Sequence, residues 1–144
     1  MALFYDDIPV GLSFSTPSLD VTAEQIDRFA NLSGDFFALH MDDAFARSLG
    51  FPCRVAHGLL GLILLDGLKN QSHQRFEAVA SLKWDWNFRA PLYPGDRVQG
   101  HITVTAKRLT SKANRGILTL ALELRNQHGQ VLQDGANLLM VRTR

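Results

Sequence analysis

The sequence predicts an α+β domain in which an antiparallel sheet wraps one buried helix. Three observations carry this expectation. The segment from about His57 to Asn70 is helical in character and apolar on nearly every side, so it belongs inside. After Phe76 the chain alternates apolar and polar residues with the period of a strand. Each of those later segments has one strongly apolar face, as an antiparallel sheet needs when one side covers a core.

Before about Asn70 the signals are helical. Thr22-Ala23-Glu24-Gln25 fits a capping box, Ile26, Phe29, Ala30 and Leu32 form an apolar stripe, and Gly34 is a natural stop. A second, short helix is expected from Asp42 or Asp43 to Leu49, ended by Gly50, with Asp35 to His40 as a loop between the two. The buried helix then starts near His57; its Gly58 and Gly61 suit the close approach of another backbone. Strands follow at Ala80–Phe88, Val98–Val104 and Leu118–Leu124, with a last one running to Val141 after the turn Asn126-Gln127-His128-Gly129. Pro91 and Pro94-Gly95 close the first of these.

The 144 residues show no repeat and no low-complexity linker, so residues 1–144 form one domain. A chain of this length buries roughly 68–70% of its unfolded surface and folds without staples. With 46% apolar and 20% charged residues it is not a disordered chain. Fifteen Lys and Arg against 14 Asp and Glu leave a formal charge of +1, which argues against a nucleic-acid binder and for a small-molecule site or a protein partner. Cys53 is the single cysteine and no Cys/His cluster has zinc spacing, so neither a disulfide nor a metal is expected. The start lacks the basic region of a signal peptide, and the apolar run Gly58–Leu65 falls short of the about 20 residues that span a bilayer. The expectation is a soluble, cytoplasmic protein with no membrane partner.

Asp35 and His40 supply a carboxylate and an imidazole five positions apart. A tight turn brings both over one point, where they can hold a water and exchange protons with it near neutral pH. Alone the pair is a weak signal: Asp35 after a helix-ending glycine reads first as a turn residue, and His40 as a surface or satisfied core residue. His57-Gly58 adds a helix start, whose unpaired amides suit a carbonyl oxygen gaining negative charge, and Gly58 has no side chain to shield its N–H. Trp84 and Trp86 are candidates for an apolar pocket as well as for plain core, and the depth of such a pocket depends on how they pack with Phe36 and Phe37. Lys107, Arg108, Lys112 and Arg115 surround a hairpin turn, either meeting a phosphate or simply solvated.

In order, Leu32-Ser33-Gly34-Asp35, His40, Ala56-His57-Gly58, Phe88-x-x-Pro91 and Gly95-Asp96 resemble the MaoC-like dehydratase family, the single-hotdog (R)-specific enoyl-CoA hydratases. The resemblance implies a hotdog fold, a long central helix wrapped by a strongly curved antiparallel sheet and commonly paired into a homodimer or higher homo-oligomer. It implies a hydro-lyase of fatty acid metabolism: hydration of a 2-enoyl thioester or dehydration of the 3-hydroxyacyl form. Asp35 and His40 would hold the catalytic water and the Gly58 amide would stabilise the enolate-like thioester oxygen. Phe36, Phe37, His57, Trp84 and Trp86 are the candidate substrate contacts. Coenzyme A or an acyl carrier is then part of the substrate, and no cofactor is required. Two departures stand out. Phe37-Ala38 replace the Asn-Pro of many members, and Ile63 stands where some carry a helix serine that bonds the acid. The acid would then be oriented by Ser33 or by backbone amides. Thioester hydrolysis and non-catalytic acyl-thioester binding are the alternative activities for such a fold.

Overall fold

The Thr22 hydroxyl accepts a hydrogen bond from the Gln25 amide, while the Gln25 side chain accepts one from the Thr22 N–H, so both ends of the expected cap are made. In the computed structural model, which describes residues 1–144, this cap opens helix α1 (Ala23–Ser33). Gly34 ends it with a left-handed φ of +78°. A side chain resists that conformation, so glycine is the residue the turn calls for. A single helical turn, α2 (Ala38–Met41), follows. Asp42 then caps α3 (Asp43–Ser48), its Oδ1 accepting from the amides of Ala44 and Phe45. The long helix α4 covers Gly58–Gln71.

Two short strands, β1 (Ala2–Leu3) and β3 (Arg75–Phe76), pair in parallel and bring the amino terminus to the end of α4. The main sheet contains β2 (Ser13–Asp20), β4 (Ala78–Phe88), β5 (Arg97–Leu109), β6 (Arg115–Arg125) and β7 (Val131–Arg142). Its order is β2-β5-β6-β7-β4, with every pairing antiparallel. One face lays Val98, Ile102, Leu120, Leu122, Leu132 and Leu139 against Leu60, Leu65 and Leu68 of α4 in one apolar cluster. This is the expected layering of helix under sheet.

Several expectations need correction. The first half of the chain is not helical throughout, because β2 forms an edge of the sheet. Its Ser-Phe-Ser-Thr-Pro-Ser sequence hides the strand, and the pairing with β5 slips between Ser15 and Ser18, around Pro17, which has no amide to donate. The segment from Asp35 to His40 is not all loop, since α2 takes its end. Finally, α4 is not covered on every side. Leu59 and Ile63 remain about half exposed, as do Val79, Leu82 and Phe88 on the edge strand β4. The two helix glycines do make room, but for side chains rather than backbone. A Cβ on Gly58 would stand 2.8 Å from the Phe88 ring, and one on Gly61 only 2.3 Å from the Gln133 amide nitrogen. No helix is long and apolar enough to cross a membrane.

Candidate active site

The turn after Gly34 is held by its own polar groups. The Asp35 N–H donates to Ser33 Oγ, and the Phe37 N–H donates to Asp35 Oδ1, each at 3.1 Å. Ser33 therefore secures the backbone of Asp35, and a backbone amide orients the carboxylate. The other carboxylate oxygen, Oδ2, lies 3.9 Å from His40 Nε2. Asp35 is exposed, whereas the His40 side chain retains only 14% of its accessible surface.

The tautomer of His40 follows from its partner. Nδ1 lies 2.8 Å from the Val55 carbonyl oxygen, which can only accept, so Nδ1 carries the proton. In the neutral ring Nε2 then presents its lone pair towards Asp35. His57 obeys the same logic, with its Nε2–H donating to the Asp35 carbonyl at 2.9 Å. The two imidazoles stack with centroids 3.9 Å apart, and Phe29 packs on His57 at 4.7 Å. Burial pushes the His57 pKa below its ordinary 6.5; the bond to Asp35 opposes this, while the charge His40 would carry acts with it. His57 Nδ1 is buried with no partner, which fits a ring kept neutral.

Arg54 ties the surrounding helices together. Its Nε donates to the His40 carbonyl at 2.7 Å, its Nη2 to Asp27 of α1 at 2.5 Å, and its backbone N–H to Asp43 of α3 at 2.8 Å. Sequence reasoning missed this residue. A charged side chain inside the mostly apolar approach Phe51–Ala56 was the available signal.

A mainly apolar cavity of about 540 Å³ opens beside His40, with Gly58, Leu59, Phe88, Arg89 and Gln133 on its wall. That volume falls within the range of small-molecule sites, about 300–1,000 Å³. Gly58 is the first residue of α4, where an amide has no helical carbonyl to serve. His40 and Gly58 thus meet at the cavity, with Asp35 and His57 packed around His40. Phe36 and Phe37 are more than half exposed and off the cavity wall, although Phe37 meets the His40 ring edge-on at 5.8 Å. Trp84 and Trp86 are also off the wall. Trp86 reaches it indirectly, its indole N–H donating to Gln133 at 2.9 Å. Of the basic residues near the hairpin, Lys107 bonds the Tyr5 carbonyl at 3.2 Å, and none of the four lines this cavity.

Asp35, His40 and His57 each bring one ligand-type atom within 4.8 Å of the others. Their arrangement suits proton handling better than a metal cage. His57 Nε2 is already committed to a carbonyl, and stacked rings direct their in-plane lone pairs side by side rather than at one point.

The family profile of the MaoC like domain matches residues 8–132. The chain belongs to this family. An (R)-specific enoyl-CoA hydratase of Aeromonas caviae is 33% identical over 113 residues, which cover 78% of this MaoC-like chain and 81% of that protein. The crystal structure of a MaoC-like dehydratase from Rhodospirillum rubrum superposes with a TM-score of 0.87 at 26% identity, covering 99% of both chains. A Mycobacterium tuberculosis protein described as a double hotdog fold is 18% identical; 99% of this chain matches 45% of that one with a TM-score of 0.86. The MaoC-like domain therefore has the hotdog fold, as its helix and sheet already indicated.

Proposed function

We propose that this MaoC-like domain is a hydro-lyase for acyl thioesters, hydrating a 2-enoyl thioester or dehydrating the 3-hydroxyacyl form. The observation that carries the reading is the gap of 3.9 Å between Asp35 Oδ2 and His40 Nε2, beside a cavity headed by Gly58. A water at hydrogen-bond distance from both, about 2.8 Å, fits that gap with its two bonds near a right angle. Hydration places the water oxygen on Cβ and a proton on Cα, and dehydration reverses both transfers. Negative charge develops on the thioester oxygen during either direction. The Gly58 N–H, free at the start of α4, is the donor suited to it. The names of the relatives support the same class: besides the Aeromonas caviae hydratase, a 3-hydroxyacyl-[acyl-carrier-protein] dehydratase of Arabidopsis thaliana is 27% identical over 111 residues. The carrier, coenzyme A or an acyl-carrier protein, belongs to the substrate, and hydration is redox-neutral.

A homodimer belongs to this reading. Strand β4 has no partner on its outer side, and the uncovered Val79, Leu82, Phe88, Leu59 and Ile63 offer apolar surface for a second copy. Leu59 and Phe88 also line the cavity, which puts the site next to the surface that would pair.

The deciding experiment is a panel of enoyl-CoAs followed by loss of enoyl absorbance, with free thiol measured in parallel. The expected outcome is hydration without thiol release, and a fall in kcat of about 10²- to 10⁴-fold in both Asp35→Asn and His40→Gln. Thiol release in place of hydration, or undiminished turnover by either variant, overturns the reading.

A further inference from the structure

Gln133 sits on β7 with only 2% of its surface exposed, a buried polar side chain facing the head of α4. Its two ends are both used. Oε1 accepts from the Trp86 indole N–H at 2.9 Å, and Nε2 donates to the Gly58 carbonyl at 2.9 Å. The result is a relay from strand β4 through strand β7 into the first turn of α4. Gly61 completes it: the Gln133 amide lies where a Cβ on residue 61 would be, 2.3 Å from the nitrogen.

A buried amide with both ends satisfied has one rotamer that works, so it holds whatever it binds. The carbonyl it binds belongs to the peptide whose N–H is that of Leu59. Donation to a peptide carbonyl draws electron density towards that oxygen and makes the same peptide's N–H a stronger donor. Leu59 follows Gly58 at the head of α4, and both residues line the cavity. We infer that Gln133, oriented by Trp86, is a positioning residue that fixes the first turn of α4, and with it the Gly58 N–H offered to the thioester oxygen, and that polarises the Gly58–Leu59 peptide behind it. The inference rests on the hydro-lyase reading and adds to it the device that aims the helix start. It also explains the combination of Gly61 and Gln133, which simple packing of helix on sheet does not require.

The test compares Gln133→Leu, which removes both bonds, with Trp86→Phe, which keeps an aromatic ring and removes only the N–H that orients Gln133. Each is assayed with crotonyl-CoA, or whichever enoyl-CoA the parent protein turns over best, and its fold is checked by thermal melting. A misaimed donor affects the transition state more than the bound substrate, so kcat falls by about tenfold to a hundredfold with KM little changed. The double variant is no slower than Gln133→Leu alone, because both changes interrupt one relay. In the amide spectrum of the protein without substrate, the Leu59 proton of Gln133→Leu moves upfield, towards a weaker donor. Folded variants that keep kcat within about twofold of the parent, or raise KM alone, overturn the inference. So does a Leu59 resonance that does not move. An unmutated protein without turnover of any enoyl thioester is a separate outcome, which removes the hydro-lyase reading and this inference with it.

Discussion

Asp35 is oriented without any hydroxyl from the central helix, which carries no serine or threonine between Gly58 and Gln71. The turn does this work through the Phe37 amide on the carboxylate and Ser33 on the backbone behind it. His57 supports the same turn from beneath, through the Asp35 carbonyl. That support has a pH dependence whose sign is fixed by burial. The folded-state pKa of His57 lies below 6.5, so its contribution to stability is complete above the unfolded value and is lost as pH falls through the folded one. His101 is lowered by burial too and acts in the same direction. The melting temperature should therefore fall as pH is lowered from about 7 to about 5. His57→Gln, by removing one of the two titrations, should flatten that decline without abolishing it. A variant as steeply pH-dependent as the parent would mean that His57 is not the group responsible.

Helix α1 and its cap show how closely an element can follow local rules. Thr22, Gln25 and Gly34 act within a few residues of one another, and their roles are legible from spacing alone. Thr22→Ala should cost about 1 kcal/mol, a drop of about 3 °C in melting temperature for a domain of this size. The pairing of Asp35 with His40 is legible for the same reason, being the product of one short turn. Strand β2 is not, because its edge position and the irregularity at Pro17 replace the apolar alternation that marks the other strands. Nor are Arg54 and Gln133. Arg54 acts on α1, α2 and α3 at once, and Gln133 on residues 47 and 75 positions away in sequence. Long-range bonds of this sort leave no period and no neighbour to mark them. The two indoles illustrate the converse: Trp84, Trp86 and Phe88 alternate along an unbroken stretch of β4, yet only Phe88 reaches the cavity, while both indoles pack against the core, and a strand's period does not say where along it a pocket opens.

At the scale of the molecule, the sheet covers one side of α4 and leaves the other side and the β4 edge uncovered. A single copy in solution would present that surface to water, so light scattering at micromolar concentration should give about twice the chain mass of 16.1 kDa. Val79→Lys combined with Leu82→Lys should halve it by placing charge on the seam. A parent protein that stays at 16.1 kDa would show that the surface has another use. The position of the cavity mouth, between Leu59 of the helix and Phe88 of the edge strand, gives this arrangement a kinetic consequence. If association finishes that mouth, turnover per molecule is not constant: assays begun from very dilute stocks would show a lag or a reduced rate, restored by concentrating the protein.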